Sequence, residues 1–294
     1  MIYVIVGPTG IGKTKLSIAL AKHFNTEIIS GDSVQVYKEL NIGSAKITKD
    51  EMDGVPHHLI DILEPTEDFS VALFQKLVRE KINTLQQNNL IPIIAGGTGL
   101  YIKSVLYDYN FSNTKRDYDL ESKYKDLTNE ELHSILIKKD LEASNQIHPN
   151  NRKRILQAIT RSSDNKVSKN KNKDIPVYDF KIIGLTLERS KLYELINKRV
   201  DQMVEEGLVQ EVKSLFDKKI TGNSVSAIGY KELYQYFNNE VTLDEAIDKI
   251  KQKSRNLAKK QFTFFNNQFD ITWITTDFNN FDNTIKEAIK ILEN

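Results

Sequence analysis

The chain has 294 residues, 39% of them hydrophobic, which is enough for one large domain or two modest ones. Its 41 lysines and arginines nearly balance its 40 aspartates and glutamates, so any nucleic-acid surface must come from local charge. The absence of cysteine excludes disulfides and cysteine-ligated zinc. No apolar run is long enough to cross a bilayer. With a strand predicted from residue 2, no signal peptide is expected, and we predict a soluble cytoplasmic protein.

Predicted strands alternate with predicted helices along most of the chain. IYVIVG (2–7) is a continuous apolar run rich in β-branched residues, typical of a strand buried on both faces of a parallel sheet. A helix is predicted from Lys13 to about Phe24 and another from about Ser70. Further strands are predicted at residues 26–30, 90–95, 180–187 and 271–275. This alternation predicts an α/β fold, a parallel sheet flanked by helices with right-handed crossovers.

The middle of the chain has a different character. From about residue 115 to 175 the strand signals vanish and the sequence becomes polar and helical. Within it, SSDNKVSKNKNKD (162–174) has almost no apolar residues and is predicted to be an exposed, mobile loop. We therefore predict a helical domain, 115–175, inserted into a catalytic core formed by 1–114 and 176–294.

A phosphate-binding loop follows the first strand. GPTGIGKT matches G-x-x-x-x-G-K-[ST] and lies between a predicted strand and a predicted helix, as the mechanism of that motif requires. Its glycines permit a tight loop whose N–H groups face an anion at a helix N-terminus. Lys13 would reach the outer phosphate and Thr14 would ligate Mg²⁺; the alternative is a glycine turn without a ligand. The predicted phosphate-binding residues are Gly7, Pro8, Thr9, Gly10, Ile11, Gly12, Lys13 and Thr14, and the fold is expected to resemble that of P-loop NTPases.

Two further polar residues follow predicted strands. Asp32 comes just after the strand at 26–30, and Thr98 comes just after the strand at 90–95. Because the carboxyl ends of parallel strands share one edge, both should converge on the phosphate loop. Asp32 is interpreted either as a turn or metal-associated aspartate, or as a general base beside a phosphorylated substrate.

Arg199 interrupts an apolar stripe. On a helix predicted over 189–203, the apolar residues recur at 3.6-residue spacing, and Arg199 falls among them. A guanidinium on such a face needs an anionic partner, either a structural carboxylate or the phosphate that Lys13 holds.

Eight segments in order carry a resemblance to a known family. They are GPTGIGKT (7–14), GDSVQVYK (31–38), GSAKIT (43–48), VPHHLIDI (55–62), GGTGLY (96–101), QIHPNNRKRILQA (146–158), KRVDQMVEEGLVQEV (198–212) and AIGYKE (227–232). The sequence resembles the tRNA dimethylallyltransferase (tRNA isopentenyltransferase) family from residue 1 to about 266. It departs from the family pattern at Gln157, at Phe264 and Asn266, and at DYDLE (117–121), where Arg116 would replace a missing arginine.

The resemblance implies a reaction. A dimethylallyl group would pass from dimethylallyl diphosphate to the exocyclic N6 of the adenosine 3′-adjacent to the anticodon of tRNA, with Mg²⁺ as cofactor. It implies catalytic roles for Asp32, Thr98, Arg199 and Lys13, with Asp32 as base and the phosphate loop holding the donor. Contacts to the tRNA anticodon stem-loop are implied for Asp32, Ser33, Val34, Gln35, Thr98, Lys153, Arg154, Ile155, Leu156, Gln157, Arg255, Lys259 and Lys260. No obligate protein partner and no membrane is expected, the chain should be a monomer, and ATP is expected to bind weakly as a diphosphate mimic.

Local charge is compatible with RNA binding. Residues 151–173 hold eight lysines or arginines against one acid, and residues 249–260 hold six against none. On a helix from Asp244 the second run flanks a predicted apolar stripe made of Ile247, Ile250, Leu257 and Phe265. Such runs are either solvated faces or phosphate contacts. His57 and His58 suggest a metal site, but neighbours on an extended chain point apart, which favours structural histidines.

Three other functions compete with the transferase. A nucleoside or nucleotide kinase would use Asp32 to activate a hydroxyl and the phosphate loop to hold ATP. An adenylate isopentenyltransferase would prenylate a free nucleotide. An RNA-binding module would use the loop as a conformational switch. The inserted helices and the basic runs favour a macromolecular acceptor.

Overall fold

The computed structural model describes residues 1–111, 122–160 and 173–294. Arg116, the DYDLE segment and all but the last two residues of the predicted loop at 162–174 lie outside the described residues.

The first unit is built on a parallel sheet, which in the described residues has six strands in the order β3-β2-β4-β1-β5-β6. β1 lies at the centre with every residue buried, pairing through Val4 with Ile94 on one side and Ile182 on the other. The predicted α/β fold is confirmed. The strands are β1 (Ile2–Val6), β2 (Ile28–Ser30), β3 (His57–His58), β4 (Ile93–Gly96), β5 (Phe180–Thr186) and β6 (Thr272–Thr275). β3 was not predicted, because two residues are too short to carry a pattern.

Helices connect and flank these strands. Those of the first unit are α1 (Lys13–His23), α2 (Val71–Gln87), α3 (Gly99–Leu106), α7 (Arg189–Glu205), α8 (Leu208–Asp217), α9 (Tyr230–Phe237), α10 (Leu243–Gln268) and α11 (Phe281–Glu293). The predicted starts of α1 and α2 are confirmed, and the Ser70 hydroxyl accepts a hydrogen bond from the Leu73 N–H at 3.1 Å to cap α2. Among the described helices, none is long and apolar enough to span a membrane.

The start of α10 and the burial of one of its apolar residues differ from the prediction. A capping box between Thr242 and Glu245 starts the helix, whose first residue is Leu243, one residue before the predicted start. Ile250 and Phe265 are buried as expected, but Leu257 is 40% exposed. The cause is that α10 faces a cavity here: Ile250, Ser254, Leu257 and Gln261 recur at helical spacing along the cavity wall. Leu257 therefore belongs to the cavity rather than to the core.

The second unit comprises Tyr107–Val177, whereas the sequence placed the inserted domain at 115–175. Its two ends pair with each other, since the Asp108 N–H donates to the Ile175 carbonyl at 2.8 Å. Local patterns cannot reveal a contact between segments so distant in sequence. Its helices are α4 (Asn129–Lys139), α5 (Leu141–Gln146) and α6 (Arg152–Ile159), packed around their own apolar core.

Candidate active site

A cavity of about 1030 Å³ opens in the first unit, at the edge where the strands end. Lys13, Asp32 and Arg199 all line it, although they lie far apart in the sequence. This is the edge at which parallel α/β sheets bind their ligands. The structure therefore brings together three of the four predicted catalytic side chains.

The phosphate loop runs from the end of β1 to the start of α1. Gly10 and Gly12 adopt φ angles of 80° and 97°, a left-handed region that favours glycine. A Cβ on Gly12 would lie 2.7 Å from the Phe281 ring, so this position also lacks room for a side chain. The loop residues that line the cavity are Thr9, Gly10, Gly12, Lys13 and Thr14.

The other three predicted loop residues, Gly7, Pro8 and Ile11, lie outside the cavity wall. Gly7 packs so closely on β5 that a Cβ there would lie 2.9 Å from the Leu185 carbonyl oxygen. Ile11 is fully buried, and its carbonyl accepts a hydrogen bond from the Thr276 hydroxyl at 3.1 Å.

The Lys13 ammonium donates to the Pro8 carbonyl at 2.6 Å, so it is held inside its own loop. Burial, together with the nearby Arg199, lowers the pKa of Lys13 to about 7, and Asp32 opposes the shift. An anion bound in the loop would favour the charged form.

Binding of inorganic diphosphate should consequently depend on pH around 7. Below pH 7 Lys13 is charged in the free protein; above it the amine is neutral, and binding must take a proton from solution. Affinity should weaken between pH 7 and 9 by up to about tenfold per pH unit. Calorimetry in buffers of different ionisation enthalpy would count the protons, and Lys13→Met, which retains only the titration of the ligand, provides the baseline. Equal pH profiles for parent and variant would contradict the expectation.

Arg199 lies on α7 against the phosphate loop, where its Cδ and Nη1 are 3.9 Å from the place of a Cβ on Gly10. Burial lowers the pKa of the Arg199 guanidinium, and the fields of Asp32, Glu206 and Glu51 oppose this. Within the described residues, none of these carboxylates forms an ion pair with it. Of the two predicted partners, a structural carboxylate or a bound phosphate, the geometry favours the phosphate.

Asp32 uses one oxygen for a turn. Its Oδ1 accepts hydrogen bonds from the Val34 N–H at 2.8 Å and the Gln35 N–H at 3.4 Å. Its Oδ2 forms no hydrogen bond with the residues that the structure describes, and the side chain lines the cavity. The turn role and the base role are therefore compatible, because they use different oxygens.

The remaining residues of this segment divide between the cavity and its support. Ser33, Val34 and Gln35 line the cavity. The Gln35 amide also holds another part of the lining, donating to the carbonyls of Ser44 at 3.3 Å and Ala45 at 3.2 Å.

Thr98 stands apart from the other predicted catalytic residues, because it is not among the residues that line the cavity. Its N–H donates to the Gly31 carbonyl at 3.3 Å, and its carbonyl accepts from the Tyr101 N–H at the start of α3. Its hydroxyl lies 3.5 Å from the Ser33 hydroxyl oxygen. The contacts of Thr98 join the ends of β2 and β4.

The two histidines make separate contacts. His58 pairs through Nε2 with a carboxylate oxygen of Glu27 at 2.6 Å. His57 Nδ1 lies 2.8 Å from the Val55 carbonyl oxygen, and burial lowers the pKa of His57. The described part of the chain contains no group of three or more acidic, histidine or cysteine side chains able to hold a metal. These contacts favour structural roles.

Sequence reasoning missed the residues that fix one cavity wall. The Glu211 carboxylate on α8 accepts hydrogen bonds from the Asn41, Ile42 and Gly43 N–H groups at 2.9, 2.8 and 3.1 Å, and from the Tyr230 hydroxyl at 2.7 Å. Burial, with Glu211 nearby, raises the pKa of Tyr230 strongly. Glu211 and the 41–43 segment are about 170 residues apart in the chain, so no local signal announces the contact.

Several side chains in the basic run of α10 already have partners. Lys251 pairs with Asp201 at 2.5 Å, and Lys253 pairs at 2.7 Å with Glu232, which is only 1% exposed. The Arg255 Nη1 donates to the Asn197 side chain at 2.5 Å. Lys259 and Lys260 are exposed.

The predicted RNA-binding segment of the second unit lies on α6. Lys153, Arg154 and Gln157 are exposed, but Ile155 and Leu156 are buried in the core of that unit. The prediction that this segment contacts RNA stays a prediction, and the side chains of Ile155 and Leu156 belong to the apolar core rather than to the exposed face. The helical period explains it, because a segment of five consecutive residues must turn through the buried face.

Comparison with known proteins decides the family. A family model described as IPP transferase matches residues 35–268, and a model described as isopentenyl transferase matches residues 1–62. The chain belongs to the IPP transferase family. The tRNA dimethylallyltransferases of Bacillus pumilus and Bacillus subtilis are 50% and 49% identical to it, each over 281 residues that cover 92% of this chain and 88% and 90% of the relatives.

Solved structures agree with this assignment. The tRNA isopentenylpyrophosphate transferase of Bacillus halodurans is 45% identical with a TM-score of 0.76, and the alignment covers 99% of this chain and 95% of that one. A eukaryotic dimethylallyltransferase acting on tRNA is 26% identical with a TM-score of 0.82, over 98% and 77% of the two chains. The family resemblance found in the sequence of this IPP transferase is confirmed. These similar proteins are named as tRNA prenyltransferases, and none of them is named as a kinase or an adenylate isopentenyltransferase.

Proposed function

We propose that this IPP transferase moves a dimethylallyl group from dimethylallyl diphosphate to N6 of the adenosine 3′-adjacent to the anticodon in tRNA, releasing diphosphate. The observation that carries the proposal is the cavity itself, where Lys13, Arg199 and Asp32 line the same space. The names of the similar proteins support the same reaction class.

Lys13 and Arg199 belong to the donor side of this reaction. Diphosphate is the leaving group, so negative charge develops on it as the carbon–oxygen bond breaks. Fixed cations and N–H groups aimed at that charge stabilise the transition state more than the ground state. Both cations are partly withdrawn from water, which strengthens their action on the phosphates.

The donor set around Thr14 fits Mg²⁺. Its hydroxyl is exposed at the first turn of α1 and belongs to the cavity wall. Mg²⁺ keeps several waters and depends on substrate phosphates rather than on an all-protein cage, and the hydroxyl at this place in a phosphate loop is a common ligand of it. Thr14 would hold the ion, which would supply further neutralisation of the leaving diphosphate.

Asp32 belongs to the acceptor side. The N6 nitrogen attacks the prenyl carbon that is bonded to the diphosphate oxygen. That carbon–oxygen bond breaks, and its electron pair leaves with the diphosphate. Asp32 Oδ2 then receives one N6 proton, since Oδ1 is held in its turn. The base must leave its stack to reach this cavity. Ile196, Val200 and Met203 supply an apolar wall for the five carbons.

The RNA surface proposed for α10 is smaller than the run of basic residues suggests. Lys259 and Lys260 are its exposed cations, while Lys251 and Lys253 are paired with acids. The first unit alone supplies the three central side chains of the cavity, so we propose that a monomer is active.

The salt dependence of tRNA binding tests that surface. Lys259→Gln with Lys260→Gln should weaken binding and reduce the slope of log K against log salt by about one for each lost phosphate contact. Lys253→Gln is the matched control: it should lower the melting temperature, because Glu232 is left buried without its cation, but keep the slope. Filter binding at several salt concentrations measures both. A slope that is unchanged in the double variant would show that this face is merely solvated.

Transfer of label tests the function directly. Labelled dimethylallyl diphosphate, Mg²⁺ and unmodified tRNA should give labelled tRNA in which the prenyl group is on one adenosine. Competition by inorganic diphosphate and by ATP separates the transferase from the kinase alternative. Tight ATP binding with turnover, and no competition from the prenyl donor, would refute the proposal.

A further inference from the structure

We propose that Gln261 determines the specificity for adenine by accepting a hydrogen bond from the exocyclic amine of the target base. This inference rests on the proposed function and names a group that would read the acceptor nucleoside.

Gln261 is held in one orientation on the cavity face of α10. Its Nε2 donates to the Gly97 carbonyl at 2.9 Å. A carbonyl only accepts hydrogen bonds, so the atom that faces it must be the amide nitrogen and the amide cannot be reversed. The contact is close, because a Cβ on Gly97 would lie 2.4 Å from the same Nε2.

Gly97 places this amide between the phosphate loop and Asp32. The position of a Cβ on Gly97 is 3.4 Å from the Gly7 carbonyl oxygen, at the start of the phosphate loop. The next residue, Thr98, donates its N–H to the Gly31 carbonyl at 3.3 Å, next to Asp32 in the chain. Gln261 therefore lies where the donor site and the proposed base meet.

The oxygen of the Gln261 amide lacks a hydrogen-bond partner among the described residues. This atom, Oε1, is buried, although Gln261 lines the cavity. Buried acceptors are almost always satisfied, and an unpaired one is unfavourable. A bound molecule with a donor group would complete the arrangement.

The chemistry of the two substrates identifies that donor. An ionised prenyl diphosphate has acceptor oxygens and hydrocarbon but no N–H or O–H group, so it cannot satisfy Oε1. The adenine amine has two hydrogens. One would point to Asp32 and be removed, and the other would be held by Gln261 Oε1, which would orient the nitrogen lone pair towards the prenyl carbon. A guanine in the same place would present O6 to Oε1, an acceptor facing an acceptor.

Binding without turnover isolates this contact. Anticodon stem-loops that carry adenosine, purine riboside or 2′-deoxyadenosine at the target position would be titrated in the presence of inorganic diphosphate and Mg²⁺. In Gln261→Met the preference for adenine over purine should fall by about tenfold from the value in the parent protein, because sites built to hydrogen-bond a group reject analogues that lack it. Gln252→Met, at an exposed position of the same helix, should keep the preference of the parent.

The three stem-loops distinguish a contact with the adenine amine from a contact with the ribose. Gln261→Ala answers the same question if the melting temperature shows that Gln261→Met is not folded. A preference for adenine within about twofold of the parent in the folded variant would overturn the assignment. Loss of the preference for ribose over deoxyribose instead would assign the donor to the 2′-hydroxyl and would also overturn it. If the parent transfers no prenyl group to the adenosine stem-loop, the proposed function fails; if it does, only this inference is at risk.

Discussion

Asp32→Asn should lower the single-turnover rate of prenyl transfer by about 10²–10⁴, the usual worth of a positioned base. The structure makes this substitution informative. The Val34 N–H needs an acceptor, so the asparagine carbonyl oxygen will take the place of Oδ1 and keep the turn. Its NH₂ group then occupies the place of Oδ2 and cannot accept a proton.

Rapid quench with saturating donor and stem-loop would measure that rate, and stem-loop affinity should change far less. Asp32→Ala is the companion variant, because it removes the turn as well as the base. If both variants lose rate and only Asp32→Ala loses melting temperature, the two roles of Asp32 are separated. If the Asp32→Asn rate of prenyl transfer is within a few-fold of the parent rate, Asp32 is not the base and serves only to hold the turn.

The sequence predicted the central architecture because the relevant signals are local. A buried apolar run, a glycine loop and a helix start within 14 residues define β1, the phosphate loop and α1. The edge shared by parallel strands then predicted that Asp32 would face the same cavity as Lys13. Arg199 was found through its misfit in an apolar stripe, a signal that any buried charge can give.

The sequence could not predict the tertiary pairings. Lys253 belonged to a basic run interpreted either as a solvated face or as phosphate contacts, but its partner Glu232 lies on another helix and is buried. Glu211 was one acid among 40 acidic residues, and only the folded chain brings it to the Gly43 segment. The sequence did not single out Gln261, because an amide carries no charge. That its buried oxygen lacks a hydrogen-bond partner among the described residues is visible only in the folded structure.

Arg199→Lys should lower the turnover rate by about 10²–10³ and weaken donor binding, although the charge is kept. A guanidinium presents several N–H donors in a planar fork that matches two phosphate oxygens, whereas an ammonium is a point charge. Losing an aimed donor from the leaving group costs catalysis as well as affinity. Arg199 lies close to the phosphate loop, with Nη1 3.9 Å from the place of a Cβ on Gly10, and the shorter lysine side chain cannot reproduce that reach.

Single-turnover rates over a range of donor concentrations would separate binding from chemistry, with inorganic diphosphate affinity as an independent readout. Arg189→Lys is the matched control: Arg189 begins the same helix, is exposed and donates to the Tyr193 hydroxyl at 3.0 Å, so rate and affinity should stay close to the parent values. If Arg199→Lys melts early but reacts normally, the guanidinium serves the fold and its anionic partner is a carboxylate. A folded variant that has lost both rate and diphosphate affinity requires the opposite assignment, because a structural ion pair would have no reason to affect a free anion.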